Sequence, residues 1–376
     1  MRILHFYKTY YPETVGGVEQ VIRQMCAGTA RLGMENAVLT LTRDKDQESI
    51  EFEGHTVHRA KLDFEVASNG CSLQAILKLA ALARDFDVIH YHFPWPFMDL
   101  AHFMARVKKP TVVTYHSDIV RQKNWLKLYQ PLKHRFLSDV DHIVATSPNY
   151  LASSAVLDRY RDKTQIITYG LDKTIYPEPA DDVMAKWRAR CGERFFLFVG
   201  VLRYYKGLHI LLEAARGTEY PVVIVGAGPI EQELKAHAAQ LGLTNVMFLG
   251  ALPEEDKVAL LKLCYAVAFP SHLRSEAFGI SLLEGAMYGK PMISSEIGTG
   301  TSYINAHGET GLVVPPSDAD AFREAMRTLW NSPETAREMG VRAEARYRKL
   351  FTSEQMAANY VQLYHQMQHK LVTVPA

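Results

Sequence analysis

The segment Ser275-Glu276-Ala277-Phe278-Gly279-Ile280-Ser281-Leu282-Leu283-Glu284-Gly285-Ala286 sets two carboxylates seven residues apart, after a short apolar run. If a helix starts near Gly279, Glu276 lies in the loop before it and Glu284 about one turn inside. One carboxylate can then address a sugar and the other a ribose diol, with N-terminal amides between them facing a phosphate. The plainer alternative makes Glu276 a helix cap and Glu284 a surface residue. Upstream, Phe198-Val199-Gly200-Val201-Leu202-Arg203-Tyr204-Tyr205-Lys206-Gly207 places two cations beside a helix start. Arg203 as a fork and Lys206 as a point charge suit a diphosphate, although either also suits a solvated face.

Weaker signals accompany these. Gly16-Gly17, after Lys8 to Val15, offers bare amides at a helix start, or simply a tight turn. Val225-Gly226-Ala227-Gly228-Pro229-Ile230-Glu231 opens like a dinucleotide fingerprint but has Glu231 at the third glycine. The strand ending at Leu249-Gly250 supplies no acidic residue for a ribose, so NAD binding is not expected. His116, in Thr114-Tyr115-His116-Ser117-Asp118, sits at a strand's carboxyl end, where ligands of open sheets bind. Asp44-Lys45-Asp46 reads as a charged loop and Asp318-Ala319-Asp320 as an ordinary helix start, not as metal sites.

The positioning elements follow from the apolar periodicity. Short runs at Arg2 to Tyr7, Ala37 to Leu41, Val88 to His92, Thr111 to His116, His142 to Thr146 and Gln165 to Tyr169 alternate with helical patterns, and Ile50 to Lys61 reads as a small hairpin insertion. Leu171 to Asp182, with Pro177 and Pro179, reads as a linker. The alternation then resumes at Phe195 to Val199, Pro221 to Val225, Asn245 to Leu249, Tyr265 to Phe269, Pro291 to Ser294 and Gly311 to Val314. Two similar-sized doubly wound domains follow, and their facing strand ends predict a cleft between them. Thr352 and Gln355 form a capping box for a final helix bearing Met356, Tyr360, Val361, Leu363, Tyr364 and Met367.

Composition narrows the class. The chain has 376 residues, 48% hydrophobic and 22% charged, with 42 Lys+Arg against 41 Asp+Glu. That balance predicts no nucleic-acid partner and excludes a disordered or disulfide-scaffold protein. Cys26, Cys71, Cys191 and Cys264 lie far apart without a Cys-x-x-Cys pair, which fits a reducing cytosol and argues against zinc. Lys8 interrupts the first apolar run before a signal-peptide core forms, and no later stretch is long enough to span a bilayer, so a soluble protein is expected. Arg106, Lys108, Lys109, Arg121, Lys123, Lys127, Lys133 and Arg135 stand against Asp118 alone between residues 100 and 135. Mixed with Trp125, Leu126, Leu128, Tyr129, Leu132 and Phe136, they suggest contact with an anionic membrane, or a solvated face over an apolar core.

With the spaced glutamates, the Gly-Gly loop, the strand-end His and the Arg/Lys pair in order, the chain resembles retaining glycosyltransferase family 4 over almost its whole length. Leu4 to Pro12, His90 to Pro96 and Thr114 to Arg121 carry a closer likeness to bacterial mannosyl- or rhamnosyltransferases that use GDP-sugars in O-antigen or common-polysaccharide assembly. The resemblance implies an α/β protein of GT-B fold: two Rossmann-like doubly wound domains facing a cleft, with the C-terminal helix crossing back to the first domain. It implies an acceptor-side domain over residues 1–172 plus 352–376 and a nucleotide-sugar domain over 173–351. Glu284 would hold the ribose hydroxyls and Glu276 the donor sugar near its reacting carbon. Arg203 and Lys206 would clamp the diphosphate, helped by amides of Gly16, Gly17, Phe278, Gly279 and Ile280, with Gly228 also in the donor-binding set. His116 would stand beside the transferred sugar.

No metal or other cofactor is implied. The implied partners are a GDP-sugar donor, a polyprenyl-linked saccharide acceptor and the anionic inner-membrane surface, for a cytoplasmic, peripherally attached enzyme. One departure stands out: the family pattern places the Arg directly after the strand-end glycine, where this chain has Val201. The first domain offers no second carboxylate at an obvious nucleophile position, so front-face displacement with retention is expected from the family. The rival readings are an NAD-dependent oxidoreductase or epimerase, for which no Tyr-x-x-x-Lys dyad stands in a fitting place, and a non-catalytic nucleotide-sugar-binding module.

Overall fold

The computed structural model describes residues 1–44, 48–66, 69–119 and 123–373, the side chains of 123–128 and 369–373 excepted. It divides into two compact units, Met1–Gly170 with Thr352–Ala376, and Leu171–Phe351.

In the first unit the strands are β1 (Arg2–Phe6), β2 (Glu35–Thr42), β3 (Ser49–Phe52), β4 (His55–Lys61), β5 (Phe64–Val66), β6 (Asn69–Cys71), β7 (Val88–Phe93), β8 (Thr111–Tyr115), β9 (His142–Ala145) and β10 (Thr164–Ile166). The main sheet runs β10-β9-β8-β7-β1-β2-β4-β3, with β5 and β6 forming a separate ribbon. Only β3 pairs antiparallel in the main sheet; β4 lies parallel to β2. The expected hairpin insertion therefore widens the sheet itself, with Val57 and Ala60 buried on its two faces in register with β2. The order reverses at β1, flanked by β2 and β7, which makes their carboxyl ends the crevice where ligands of open sheets bind.

The Gly17–Ala30 helix follows β1 and buries Val21, Ile22, Met25 and Cys26 at helical spacing. The chain returns to this unit through the Ser353–Thr373 helix, whose first turn is held by Gln355 N–H donating to Thr352 Oγ1. Met356, Tyr360, Leu363, Tyr364 and Met367 are buried, so the expected crossing-back helix is present and docks by its periodic face.

The second unit holds β11 (Phe196–Val199), β12 (Val222–Val225), β13 (Val246–Gly250), β14 (Ala266–Phe269), β15 (Met292–Ser295) and β16 (Gly311–Val314), in the order β13-β12-β11-β14-β15-β16, all parallel. Phe196, Phe198, Ile224, Ala268 and Ile293 pack beneath the Leu208–Ala215 and Ala319–Asn331 helices through Leu211, Leu212, Phe322 and Met326. The order reverses at β11 against β14, where the loops carrying Arg203, Lys206 and Glu276 emerge.

Leu171 to Asp182 is not the loose linker its prolines suggest. Leu171, Asp172 and Tyr176 are buried, and the Asp172 carboxylate caps a 3-10 turn over Lys173–Ile175. Asp318 accepts from Ala321 N–H, the ordinary helix start read from the sequence, whereas Lys45 and Asp46 of the other Asp-x-Asp string lie outside the described residues. All four cysteines are free, with Cys71 half-buried and the others buried.

Candidate active site

Two loops of the second unit meet because of a glycine. Gly207 has a left-handed backbone, φ 70°, and a Cβ there would lie 2.0 Å from the Pro270 carbonyl oxygen. Only Gly permits both the conformation and the approach. His272 N–H donates to the Tyr205 carbonyl at 3.1 Å, tying the same loops again. Lys206, just before the glycine, is thereby carried to Glu276.

The Lys206 Nζ donates to Glu276 Oε2, and Ser271 Oγ donates to the same oxygen at 3.3 Å. Both side chains are largely buried, and the ammonium also lies 5.2 Å from the centre of the Phe269 ring. Burial alone would lower the Lys206 amine, but Glu276, assisted by Tyr205, outweighs it and moves the pKa upward. The site thus keeps a protonated cation in a poorly solvated place.

The helix behind Glu276 spans Ile280–Met287 and begins at Gly279, whose φ of 98° turns the chain into it. No side chain caps its first turn and no acidic residue stands there, so its leading amides suit an anion. Glu276 is therefore not the helix cap. Glu284 is not a surface residue either: it is 3% exposed and accepts on Oε1 from Tyr176 OH at 3.1 Å and Lys257 Nζ at 2.8 Å. Burial opposes the charge on Lys257, and Glu284 with Glu254 raises its pKa in spite of it. The Phe278 side chain is buried near Phe351, so its ring does not face a ligand.

The remaining predicted residues occupy different settings. Arg203 is exposed and precedes the 3-10 turn Tyr204–Lys206, in contrast with the largely buried Lys206 side chain. Gly228 serves packing: a Cβ there would come 2.3 Å from the Leu202 carbonyl oxygen. In the first unit, Gly16 is extended and forms the uncapped N-terminus of the Gly17–Ala30 helix, with Gly17 exposed. A carboxylate that the sequence reading missed is folded over this loop. Glu19 is buried, its Oε2 only 2.5 Å from where a Gly16 Cβ would stand, and burial raises its pKa against the opposing pull of its hydrogen bonds and Lys8.

His116 is buried at the carboxyl end of β8, its Nδ1 bonded to Tyr169 OH and its Nε2 2.9 Å from His92 Nδ1. Burial lowers its pKa to about 3, so the ring is neutral. Tyr176, Lys257 and Ser271 had no recognisable motif because they join the site from separate segments. His90 and His92 did carry a signal, two histidines at the period of one strand face.

The basic stretch between residues 100 and 135 is divided. Arg106, Lys108 and Arg135 are exposed, but Lys133 is buried, with its pKa lowered by burial against the attraction of Asp118 and Asp99, and Phe136 is in the core. Phe136 faces inward because it packs edge-on against Tyr91 and His102. Arg121 and the side chains of Lys123, Trp125, Leu126, Lys127 and Leu128 lie outside the described residues.

Comparison with known proteins places the chain in a family. Residues 15–174 match the model described as Glycosyltransferase Family 4, and residues 180–346 that of Glycosyl transferases group 1. The chain is 66% identical to D-rhamnosyltransferase WbpZ of Pseudomonas aeruginosa over 94% of its length and 93% of that protein's. It is 53% identical to O-antigen chain mannosyltransferase C of Escherichia coli, covering 97% and 98% of the two chains. Among solved structures, sucrose-phosphate synthase of Thermosynechococcus elongatus superposes with a TM-score of 0.81 at 21% identity over 98% and 99% of the chains, a likeness of fold. The broken glycine fingerprint and these matches together set aside the dinucleotide-dependent alternative: the chain belongs to glycosyltransferase family 4 and is a glycosyltransferase of the GT-B fold.

Proposed function

We propose that the protein is a retaining hexosyltransferase that moves mannose or D-rhamnose from a GDP-sugar to a polyprenyl-linked saccharide in O-antigen assembly. The observation that carries this reading is the buried Lys206–Glu276 pair at the carboxyl ends of β11 and β14, followed by the uncapped helix and buried Glu284. The names of the rhamnosyl- and mannosyltransferase relatives support the hexose and the pathway.

In this reading Glu284 holds the ribose diol through Oε2, and the leading amides of the Ile280–Met287 helix, with Gly16 and Gly17, are assigned to the diphosphate. Gly228 lets the neighbouring turns close beside the nucleotide. As the glycosidic bond breaks, negative charge grows on the departing diphosphate. Protonated Lys206, shared with Glu276 beforehand, stabilises that charge, helped by Arg203, and no metal takes part. His116 is assigned to the transferred sugar. A double displacement would need an ionised carboxylate as nucleophile, whereas Glu19 is buried, turned onto Gly16 and raised in pKa, which favours front-face attack by the acceptor.

The test is calorimetric titration of GDP and UDP, then incubation of GDP-mannose and GDP-D-rhamnose with a polyprenyl diphosphate-linked saccharide in EDTA, with NMR of the product anomer. Tighter GDP binding, transfer in EDTA and a retained anomer are expected. Preference for UDP, a metal requirement or an inverted product would each remove the corresponding part of the reading.

A membrane-facing surface is part of the same proposal. Among the described residues no helix is long and apolar enough to cross a membrane. Leu73 and Leu77, and Leu100 and Met104, form exposed pairs four residues apart on two helices of the first unit, and Phe64 and Val66 are exposed on the β5–β6 ribbon. Such residues favour an interfacial location over the divided basic stretch. Co-sedimentation with anionic vesicles should fall when Leu73 and Leu77 are both changed to Glu; unchanged recovery would reject this surface.

A further inference from the structure

We propose that Asn36, His5 and His92 form a buried positioning chain that sets the ring tautomer of His116, keeping its proton on Nε2 and its Nδ1 bare. The chain begins where β1 and β7 pair His5 with His90, with His92 two residues further along the same face. His5 Nδ1 lies 3.1 Å from His92 Nε2, and His92 Nδ1 lies 2.9 Å from His116 Nε2. At the far end, His5 Nε2 lies 3.3 Å from Asn36 Oδ1.

The direction of every bond follows from the amide at that end. Asn36 Nδ2 donates to the Cys26 carbonyl oxygen at 3.1 Å, a group that can only accept, so Oδ1 must face His5. His5 Nε2 therefore carries the proton that Oδ1 accepts. A neutral ring has one N–H, which leaves His5 Nδ1 bare and requires His92 Nε2 to donate to it. The same step repeats: His92 Nδ1 is bare and His116 Nε2 donates to it. Tyr169 OH is then the donor to His116 Nδ1.

Neutrality is the condition for this propagation, and burial supplies it. His5 and His116 are lowered to about 3, and His92 well below its ordinary value with the neighbouring His90, His116 and His5 adding to the effect of burial. His90 stands beside the chain but outside it, its nitrogens bonded to Tyr364 OH and Thr114 Oγ1, each at 2.7 Å. His5, His90 and His92 are close enough to hold a metal ion, yet all six of their ring nitrogens already have protein partners. Their arrangement is that of a hydrogen-bonded core.

The consequence bears on the proposed reaction and rests on the assignment of His116 to the transferred sugar. The one proton of His116 is committed inward to His92, so a sugar hydroxyl reaching this ring meets an acceptor, Nδ1, in competition with Tyr169. Asn36, His5 and His92 act through His116 and are positioning residues.

The test uses the full chain labelled with 15N-histidine. NMR at neutral pH is expected to show the Nε2–H tautomer at His5, His92 and His116. Asn36→Leu removes the directing acceptor and should give mixed tautomers at all three, whereas Asn36→Asp should keep Nε2–H at His116. In turnover, Asn36→Leu should lower kcat about tenfold, the lower end of the loss seen when the partner orienting a metal-bound histidine is removed, with KM for the donor unchanged and kcat restored in part by Asn36→Asp. An Nδ1–H tautomer at His116 in the unaltered protein overturns the proposal whether or not the variants fold, as does an unchanged pattern in Asn36→Leu. Wild-type turnover in His116→Ala would instead overturn the assignment of His116 to the sugar, a result separable from the tautomer measurement.

Discussion

Two polar clusters, one in each unit, are held by opposite means. In the first, His5, His92 and His116 are held neutral by burial and bonded ring to ring. In the second, Lys206 is paired with Glu276 and Lys257 with Glu284, and these partners raise the pKa of each lysine against the effect of burial. A neutral chain costs little to desolvate and serves to set directions. A buried pair costs more, yet keeps a full positive charge ready where negative charge develops. The histidine cluster of the first unit therefore positions groups, while the lysine–glutamate pairs of the second store charge.

Removing the stored charge should give the largest effect. Lys206→Ala is expected to reduce turnover by about 10²–10³-fold, the scale for one preorganised donor, measured beside a Lys206→Met, Glu276→Gln double variant to separate catalysis from the penalty of an orphaned Glu276. A loss under about threefold would break the contrast. Glu284→Ala should act on binding, weakening GDP affinity about 10- to 100-fold by calorimetry with a smaller change in kcat, because a ribose contact is the same in the ground and transition states. Unchanged affinity would remove Glu284 from the nucleotide site.

Acid should separate the units. His5 and His116 have folded pKa values of about 3 against about 6.5 in an unfolded chain, so the unfolded state binds more protons between these values. Their contribution is complete above about pH 6.5 and is lost as pH falls toward 3, amounting to about 2 kcal/mol per ring at pH 5. Amide protection, corrected for the slower intrinsic exchange in acid, should fall at pH 5 in β1 and β7 before β11 and β14; an equal fall in both sheets would show that the neutral chain is not the acid-sensitive element. The smallest effect is expected from Arg203→Ala, under about tenfold in turnover, because this side chain is exposed where a charge is well screened. A loss equal to that of Lys206→Ala would show that exposure in the free protein does not rank the two cations.

The sequence by itself determined the parallel sheets, a final capped amphipathic helix, and the presence of Glu276, Glu284 and Lys206 near strand ends, whereas the docking of that helix on the first unit was decided by tertiary packing. These depend on period and local turn chemistry, which a few consecutive residues contain. His90 and His92 were also legible as neighbours on one face, though not as part of a chain. Tertiary structure alone decided which charges pair. Lys206 meets Glu276 because Gly207 lets one loop touch Pro270, and Tyr176 and Lys257 converge on Glu284 from a supposed linker and an unremarkable helix. It also decided that Lys133 and Phe136 turn inward while Leu73 and Leu77 remain exposed. Such outcomes depend on contacts between residues distant in the chain, whose packing and desolvation have no period to read. The direction of the histidine chain shows this most plainly: it follows from one amide on β2, and nothing near His116 in sequence records it.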